Sequence, residues 1–340
     1  MTERSGILAG GNWIVDRTKM IDVYPAQDAL ANILQETLSN GGAPYNVLID
    51  LARLQAPFSL VGVGLVGEDA EGEFIRADCR AHGIETRQLY PCKEAPTSYT
   101  DVMTVQSTGR RTFFHRRGAN AFLDATHFDF TQSRARIFHL GYLLLLDRLD
   151  QPDPKYGTVA AALLGRAQTA GFKTCVDLVS EDTDRFARVA RPALRHCDYC
   201  VLNEFEAERT TGIEIVRSGA IDLDAARNAA RELLKAGVRE WVVIHFPAGA
   251  LAVGASGHEL AQSSVNLPQA QIAGTVGAGD AFAAGVLFGL HQDVPMEMAL
   301  KYGVCAAASS LTDPTSSNGV KPLAECLEYG EGFGFRKTLF

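Results

Sequence analysis

From about residue 58 onward, short apolar runs alternate with stretches of helical periodicity. Phe58–Val63 predicts a buried strand, and Asp69–His82 predicts the helix that follows it. Arg136–Leu140, Thr174–Leu178, Tyr199–Leu202 and Trp241–His245 predict further strands. The clearest helix is Asp222–Ala236: Asp222 sits at the N-cap, Leu223, Ala226, Ala230, Leu233 and Leu234 form one face, and Gly237 ends it. Strands alternating with helices imply an α/β fold, a mostly parallel sheet covered on both faces. In such a sheet a ligand sits beyond the carboxyl ends of the strands. One region breaks the rhythm. Thr97–Val105 alternates polar and apolar residues, turns at Ser107-Thr108-Gly109 and continues as Arg111–His115, which predicts a β-hairpin. Trp13–Tyr24 has similar strand character. Neither belongs to a strand–helix unit, so they form either a small separate sheet that acts as a lid or an antiparallel edge extension of the main sheet.

Composition narrows the class. A length of 340 residues suits two domains or one large α/β domain. No internal repeat and no Pro/Gly/Ser-rich linker divides the chain. With 46% hydrophobic and 21% charged residues it is an ordinary globular sequence, which excludes disorder, coiled coil and collagen. There are 32 basic and 40 acidic residues, net −8, which argues against a nucleic-acid or anionic-membrane partner, since either needs a basic face. An anionic small molecule needs only a local positive site. The longest apolar run, Ile137–Leu146, is about half a membrane span and contains His139 and Gly141. The N-terminus reaches Gly10-Gly11 and Asp16 too soon to hold a signal peptide. Seven scattered cysteines suit a reducing cytoplasm better than a disulfide framework. Glycine is in mild excess, 32 residues or about 9% against a usual 7%, so where the surplus sits matters.

One cluster is Gly62-Val63-Gly64-Leu65-Val66-Gly67, a literal G-x-G-x-x-G that would cradle a dinucleotide pyrophosphate, with Glu85 near the ribose-binding distance. Glu68 and Asp69 follow immediately and would repel the pyrophosphate. A tight strand-to-helix turn is the better reading. A second cluster, Gly274-Thr275-Val276-Gly277-Ala278-Gly279-Asp280, runs into the small-residue helix Ala281-Phe282-Ala283-Ala284-Gly285-Val286-Leu287. The N–H groups of Gly277, Ala278 and Gly279 at that helix terminus can bind an anion. Asp280 is then either a carboxylate placed beside the anion for chemistry or a residue that merely complements the helix dipole; spacing alone leaves both open. No G-x-x-x-x-G-K-[S/T] and no G-x-S-x-G occurs, so neither a P-loop nor an α/β-hydrolase nucleophile is present. Cys197-Asp198-Tyr199-Cys200 lacks a second pair to complete a zinc set and, read along a strand, points its thiols to opposite faces. His115, His139 and His245 fall in strands, where a core or lid histidine is the default.

Gly277-Ala278-Gly279-Asp280 with its small-residue helix resembles the C-terminal signature of the ribokinase-like (PfkB-type) carbohydrate kinases, and the likeness runs along nearly the whole chain. Gly11-Asn12 with Asp16 is similar to the family's opening segment, and Asn40-Gly41-Gly42-Ala43-Pro44-Tyr45-Asn46 to its second substrate segment in the fructokinase-type version. Gly64–Gly72 resembles its first signature region, Arg110-Arg111-Thr112-Phe113 with Gly118-Ala119-Asn120 the return strand of its lid, and Asn203-Glu204-Phe205-Glu206 its N-x-x-E. The resemblance implies one ribokinase-like domain over residues 1–340, a three-layer α/β/α fold with a mostly parallel central sheet, and lid strands from about 13–24 and 97–117.

It further implies phosphoryl transfer from ATP to a hydroxyl of a small sugar, usually a primary alcohol. Gly277, Ala278 and Gly279 would form the anion hole, with Asp280 as base; the helix dipole favours its ionised form, which makes it a weak base. Asn12, Asp16, Gly41, Gly42 and Asn46 would hold the sugar. Asn203, Glu206, Thr275, Gly277 and Gly279 would face the nucleotide, with Glu206 ordering Mg2+ through water. Lid strands seek partners, so a homodimer through the lid is implied. Three segments depart from the pattern. Gly274 replaces an Asp that often helps bind a monovalent cation, so a potassium requirement is not carried over. His245-Phe246-Pro247-Ala248-Gly249-Ala250 lacks the usual glycine two residues after the strand, and Asp313–Gly319 does not match the tail around the adenine pocket, which leaves the base contacts unassigned. The rival readings are a nucleoside kinase of the same fold, a dinucleotide-binding oxidoreductase using Gly62–Gly67, and a non-catalytic sugar-binding relative, which the intact Asp280 argues against.

Overall fold

Strand β1 (Ile7–Gly11) is buried along its whole length, with Leu8 on one side of the sheet and Ile7 and Ala9 on the other. Residues buried on both faces are the mark of a central parallel strand. The computed structural model describes residues 4–181 and 183–337. After β1 come β2 (Ile14–Ile21), β3 (Ile33–Gly41) and helix α1 (Ala43–Arg53), then β4 (Leu60–Gly67), α2 (Ala70–Ala81) and β5 (Glu85–Cys92). The hairpin β6 (Ser98–Val105) and β7 (Arg111–Arg116) precedes β8 (Ile137–Leu143), the short pair β9 (Pro152–Asp153) and β10 (Gly157–Thr158), and α3 (Val159–Thr169). Next are β11 (Lys173–Leu178), α4 (Phe186–Leu194), β12 (Tyr199–Asn203), α5 (Glu204–Thr211), a second short pair β13 (Val216–Arg217) and β14 (Ala220–Ile221), and α6 (Leu223–Ala236). The chain finishes with β15 (Trp241–Phe246), β16 (Gly249–Gly254), β17 (Glu259–Ser263), α7 (Ala278–His291), α8 (Met296–Ser310) and α9 (Leu323–Phe333).

Nine strands form the main sheet in the order β17-β16-β15-β12-β11-β8-β1-β4-β5. It is parallel from β5 to β15 and antiparallel at β15-β16-β17. One face buries Phe128, Phe138, Leu163, Val189 and Leu233 beneath α3, α4 and α6; the other buries Leu48, Ile75, Val286 and Leu300 beneath α1, α2, α7 and α8. Helix α6 starts where its sequence says: Asp222 accepts a hydrogen bond from Ala225 N–H at 3.0 Å, and Gly237 caps the far end.

A separate four-stranded sheet has the order β3-β2-β6-β7. The hairpin is therefore no edge extension of the main sheet. Strand β3 has no counterpart among the expected elements, because Ile33–Leu38 are exposed and show no alternation against a core.

Two expectations are corrected. Gly62–Gly67 forms neither a turn nor a cradle at a helix N-terminus; all six residues lie within β4. A Cβ on Gly62 would lie 2.7 Å from the Trp13 ring, and one on Gly64 would lie 2.4 Å from it. The glycines make room for a fully buried indole whose Nε1–H donates to Val63 C=O at 2.9 Å. Cys197 and Cys200 do not point to opposite faces: Cys197 precedes β12, and both thiols enter the same core.

Candidate active site

Helix α7 begins at Gly277, whose φ of +74° is left-handed and whose Cβ, if it had one, would sit 2.1 Å from the Ser316 carbonyl oxygen. Only glycine makes that turn at that spacing. The first intrahelical bond runs from Ala281 N–H to Gly277 C=O. The N–H groups of Ala278, Gly279 and Asp280 are thus without helical partners, an arrangement of donors that can accept an anion.

Asp280 stands in the first turn of α7 and is buried. Tyr142, just past Gly141 in β8, donates its hydroxyl to Oδ1 at 2.9 Å and Oδ2 at 3.2 Å. Asn46 of α1 donates Nδ2–H to Oδ2 at 2.9 Å, and its own Oδ1 is buried without a partner. Burial pushes the carboxyl up to about 6, and the two hydrogen bonds pull the other way. This corrects the expectation drawn from the helix dipole: desolvation outweighs it, so Asp280 is a stronger base than an exposed carboxylate.

Four more carboxylates share this electrostatic neighbourhood, one of them Asp50 of α1, fully buried and raised well above the usual carboxylate range by burial and by Asp280. Asp16 of β2 is raised to about 7 by burial and by Asp280. Its Oδ2 lies against Gly41, where a Cβ would come within 2.3 Å. Asp177, near the carboxyl end of β11, is raised well above the usual carboxylate range by burial, Asp280 and Glu206. Glu206 is raised to about 7, chiefly by burial. Packing like charges together in a dry site favours protons or a cation.

Glu206 is held by a capping box. Asn203 Oδ1 accepts from Glu206 N–H at 2.9 Å, and Glu206 Oε2 accepts from Asn203 N–H at 3.1 Å. Its Oε1 accepts from Ser180 Oγ–H at 2.7 Å and Asn203 Nδ2–H at 2.8 Å. Asn12 is fully buried, and its carboxamide is engaged by the protein: Oδ1 accepts from Tyr142 N–H, and Nδ2 reaches Leu145 C=O. Gly42 is the N-cap of α1 and packs on the Asn12 carbonyl. Thr275, exposed before α7, accepts from Arg111 Nη2–H of β7 at 3.1 Å, so the small sheet reaches across to the loop that leads into α7. Asn12, Gly42, Asn46, Asn203, Glu206 and Gly277 therefore gather at the carboxyl edge of the parallel strands, where the small sheet brings Asp16 and Gly41.

A family model described as "pfkB family carbohydrate kinase" matches residues 12–322. The chain belongs to the pfkB family of carbohydrate kinases. Among similar proteins, a 5-dehydro-2-deoxygluconokinase of Geobacillus kaustophilus is 24% identical over 296 residues, covering 86% of this chain and 84% of that protein. A fructokinase of Klebsiella pneumoniae is 27% identical over 293 residues, covering 83% and 84%. The solved structure of Arabidopsis thaliana ribokinase complexed with ribose and ATP superposes with a TM-score of 0.79 at 20% identity, over 97% of this chain and 99% of that one. Ribokinase from Giardia lamblia gives 0.80 at 18% identity, over 96% and 99%. This pfkB-family protein is thus a phosphotransferase, a sugar kinase with the ribokinase fold. The dinucleotide oxidoreductase reading falls with this membership and with the strand conformation of Gly62–Gly67.

In this pfkB-family kinase, sequence reasoning missed Asp177, Tyr142 and Ser180. Asp177 had a signal: a lone acid near the end of an apolar strand run, where ligands of parallel sheets bind. Tyr142 and Ser180 had none. Among the described residues no group of three His, Cys, Asp or Glu side chains is arranged to hold a metal directly. Hard oxygen donors gathered without a direct cage fit a magnesium ion that keeps its waters and rides on phosphates. No helix among the described residues is long and apolar enough to cross a membrane.

Proposed function

We propose that this sugar kinase transfers the γ-phosphoryl group of ATP to a hydroxyl of a small sugar, preferentially a primary alcohol, with Asp280 as the base. The observation that carries this is the Asp280 carboxylate, raised to about 6 and fixed by Tyr142 and Asn46, in the same helical turn as three unpartnered N–H groups. The acceptor O–H gives its proton to Asp280 as its oxygen bonds to the γ-phosphorus. The bond from that phosphorus to the β–γ bridging oxygen breaks, and ADP keeps the electron pair. Gly277, Ala278 and Gly279 N–H donors stabilise the charge on the transferring oxygens, with the Asp280 N–H beside them. Gly277 fixes their direction.

Asp16 and Asn46 Oδ1 would bind acceptor hydroxyls from opposite sides, while Asn12, Gly41 and Gly42 shape that wall. Glu206, Asn203 and Thr275 would face the nucleotide. A magnesium ion bound with the phosphates would neutralise charge on them, and Glu206 would orient its water shell. Gly274 leaves no carboxylate for a monovalent cation at that position. The small sheet, whose Arg111 already bonds to Thr275, would close as a lid inserted in one kinase domain and exclude competing water.

The relatives' names support a five- or six-carbon acceptor. An ATP-coupled assay across D-fructose, D-ribose, sugar acids and nucleosides names the acceptor class, and a preference for nucleosides would replace the sugar reading. With the best acceptor, Asp280→Asn lowers turnover by about two to four decades while ATP still binds. Turnover near that of the native enzyme overturns the assignment of the base.

Val23, Tyr24, Leu30, Ile33, Leu34, Leu38, Phe113 and Phe114 are exposed on or beside the small sheet, and two such sheets would cover each other in a homodimer. Sedimentation analysis showing a monomer at micromolar concentration would refute that pairing. Seven free, buried cysteines fit a reducing cytoplasm.

A further inference from the structure

In the small sheet, Asp16 of β2 lies beside Thr100 of β6, and Thr100 lies beside His115 of β7. Side chains paired laterally across strands stand on one face. Arg111, four residues before His115, shares that face. Two contacts show where the face looks: Arg111 donates to Thr275 in the loop before α7, and the Asp16 carboxylate lies against Gly41, next to the Gly42 N-cap that packs on Asn12. The opposite face is already occupied, since Arg17 pairs with Glu71 of α2 and lies over the Tyr99 ring.

His115 therefore sits in the row that covers the acceptor side of the site. Its Nδ1 shares a hydrogen bond of 3.0 Å with the Thr100 hydroxyl, which fixes the ring. Its Nε2 is buried and has no hydrogen-bond partner. Buried polar atoms are nearly always paired, and one left open on a ligand-facing surface marks where a ligand atom belongs.

We propose that His115 is a specificity-determining residue, whose Nε2 binds an uncharged oxygen, a hydroxyl or carbonyl, on the acceptor away from the phosphorylated group. Two strand spacings separate β2 from β7, about 10 Å. Asp16 and His115 thus hold different parts of one acceptor. The charged groups facing the ring are Arg117 and Asp147; burial and Arg117 push its pKa down to about 4, so the imidazole is neutral near pH 7. A neutral ring suits a polyol oxygen, while an apolar group at that position would leave Nε2 unpaired.

The inference rests on the reading that the acceptor lies between Asp280 and Asp16. Its test uses the acceptor with the highest kcat/KM from the panel above and two variants, His115→Leu and His115→Gln. His115→Leu raises the acceptor KM at least tenfold, changes kcat less than threefold and leaves the KM for ATP alone; His115→Gln, which restores a polar group, recovers most of the loss. An unchanged acceptor KM in His115→Leu overturns the proposal. So does a parallel rise in the KM for ATP, or a failure of His115→Gln to recover. Asp280→Asn measured alongside separates the two claims: if it is inactive and His115→Leu is indistinguishable from the native enzyme, only the role of His115 falls.

Discussion

Removing one hydroxyl should move the pH dependence of the whole enzyme. Tyr142 donates to both oxygens of Asp280, at 2.9 and 3.2 Å, and stabilises the ionised carboxylate. With that bond in place the carboxyl stands at about 6. A hydrogen bond to a charged group is worth about 1.5–3 kcal/mol, and one pKa unit is about 1.36 kcal/mol. Tyr142→Phe should therefore raise Asp280 by about one to two units, to roughly 7–8. At pH 7 the ionised fraction falls from about nine-tenths to between about a half and a tenth. Turnover at pH 7 then drops about two- to tenfold, while at pH 9 it stays within twofold of the native enzyme. The measurement is kcat against pH from 5.5 to 9 at saturating acceptor and ATP, with an ADP-coupled readout. An acid limb that stays in place or moves to lower pH refutes the argument. A loss equal at every pH does so too, since it would mean that Tyr142 does something other than hold the base ionised.

Two further outcomes follow from burial and spacing. Asp16, Glu206 and Asp280 all have folded pKa values raised above those of the unfolded chain, to about 7, 7 and 6. Such groups stabilise the fold below the unfolded pKa and lose that contribution as pH rises through the folded pKa. The melting temperature of the ligand-free protein should therefore fall between pH 6.5 and pH 8, as these carboxyls give up the protons they hold in the folded state. Asp280→Asn, although inactive, should melt a few degrees above the native protein at pH 8; calorimetry that finds it equal or lower contradicts the account of the carboxylate cluster. Gly64→Ala places a Cβ 2.4 Å from the buried Trp13 ring, an overpacking that costs about 1–3 kcal/mol. It should lower the melting temperature and leave the KM for ATP unchanged, and a selective loss of nucleotide binding would overturn the packing role of that strand.

Much of the architecture was legible because its signals are local. The 3.6-residue period, the Asp222 cap and the Gly237 stop define α6 within one segment. The apolar runs of β8, β11, β12 and β15 mark strands buried on both faces. The glycine spacing at residues 277–279 places the start of α7 at Gly277 and Asp280 in its first turn, since both depend only on a helix N-terminus. Strand β3 lacked such a signal because its side chains face outward and record no core.

What tertiary structure decided is which distant residues meet and how dry their meeting place is. Tyr142 and Asn46 lie far from Asp280 in sequence, and their bonds to it exist only because β8 ends at the edge where α1 and α7 begin. The dipole of one helix turn predicts an easily ionised Asp280; burial raises it instead, and its charge in turn raises Asp16, Asp177 and Glu206. Gly62–Gly67 reads as a tight strand-to-helix turn until Trp13 is seen filling the space that its glycines leave within β4. Periods and caps are written in neighbouring residues and so belong to the sequence. Desolvation and charge–charge energies depend on through-space distance and the surrounding dielectric, and these exist only once the chain has folded.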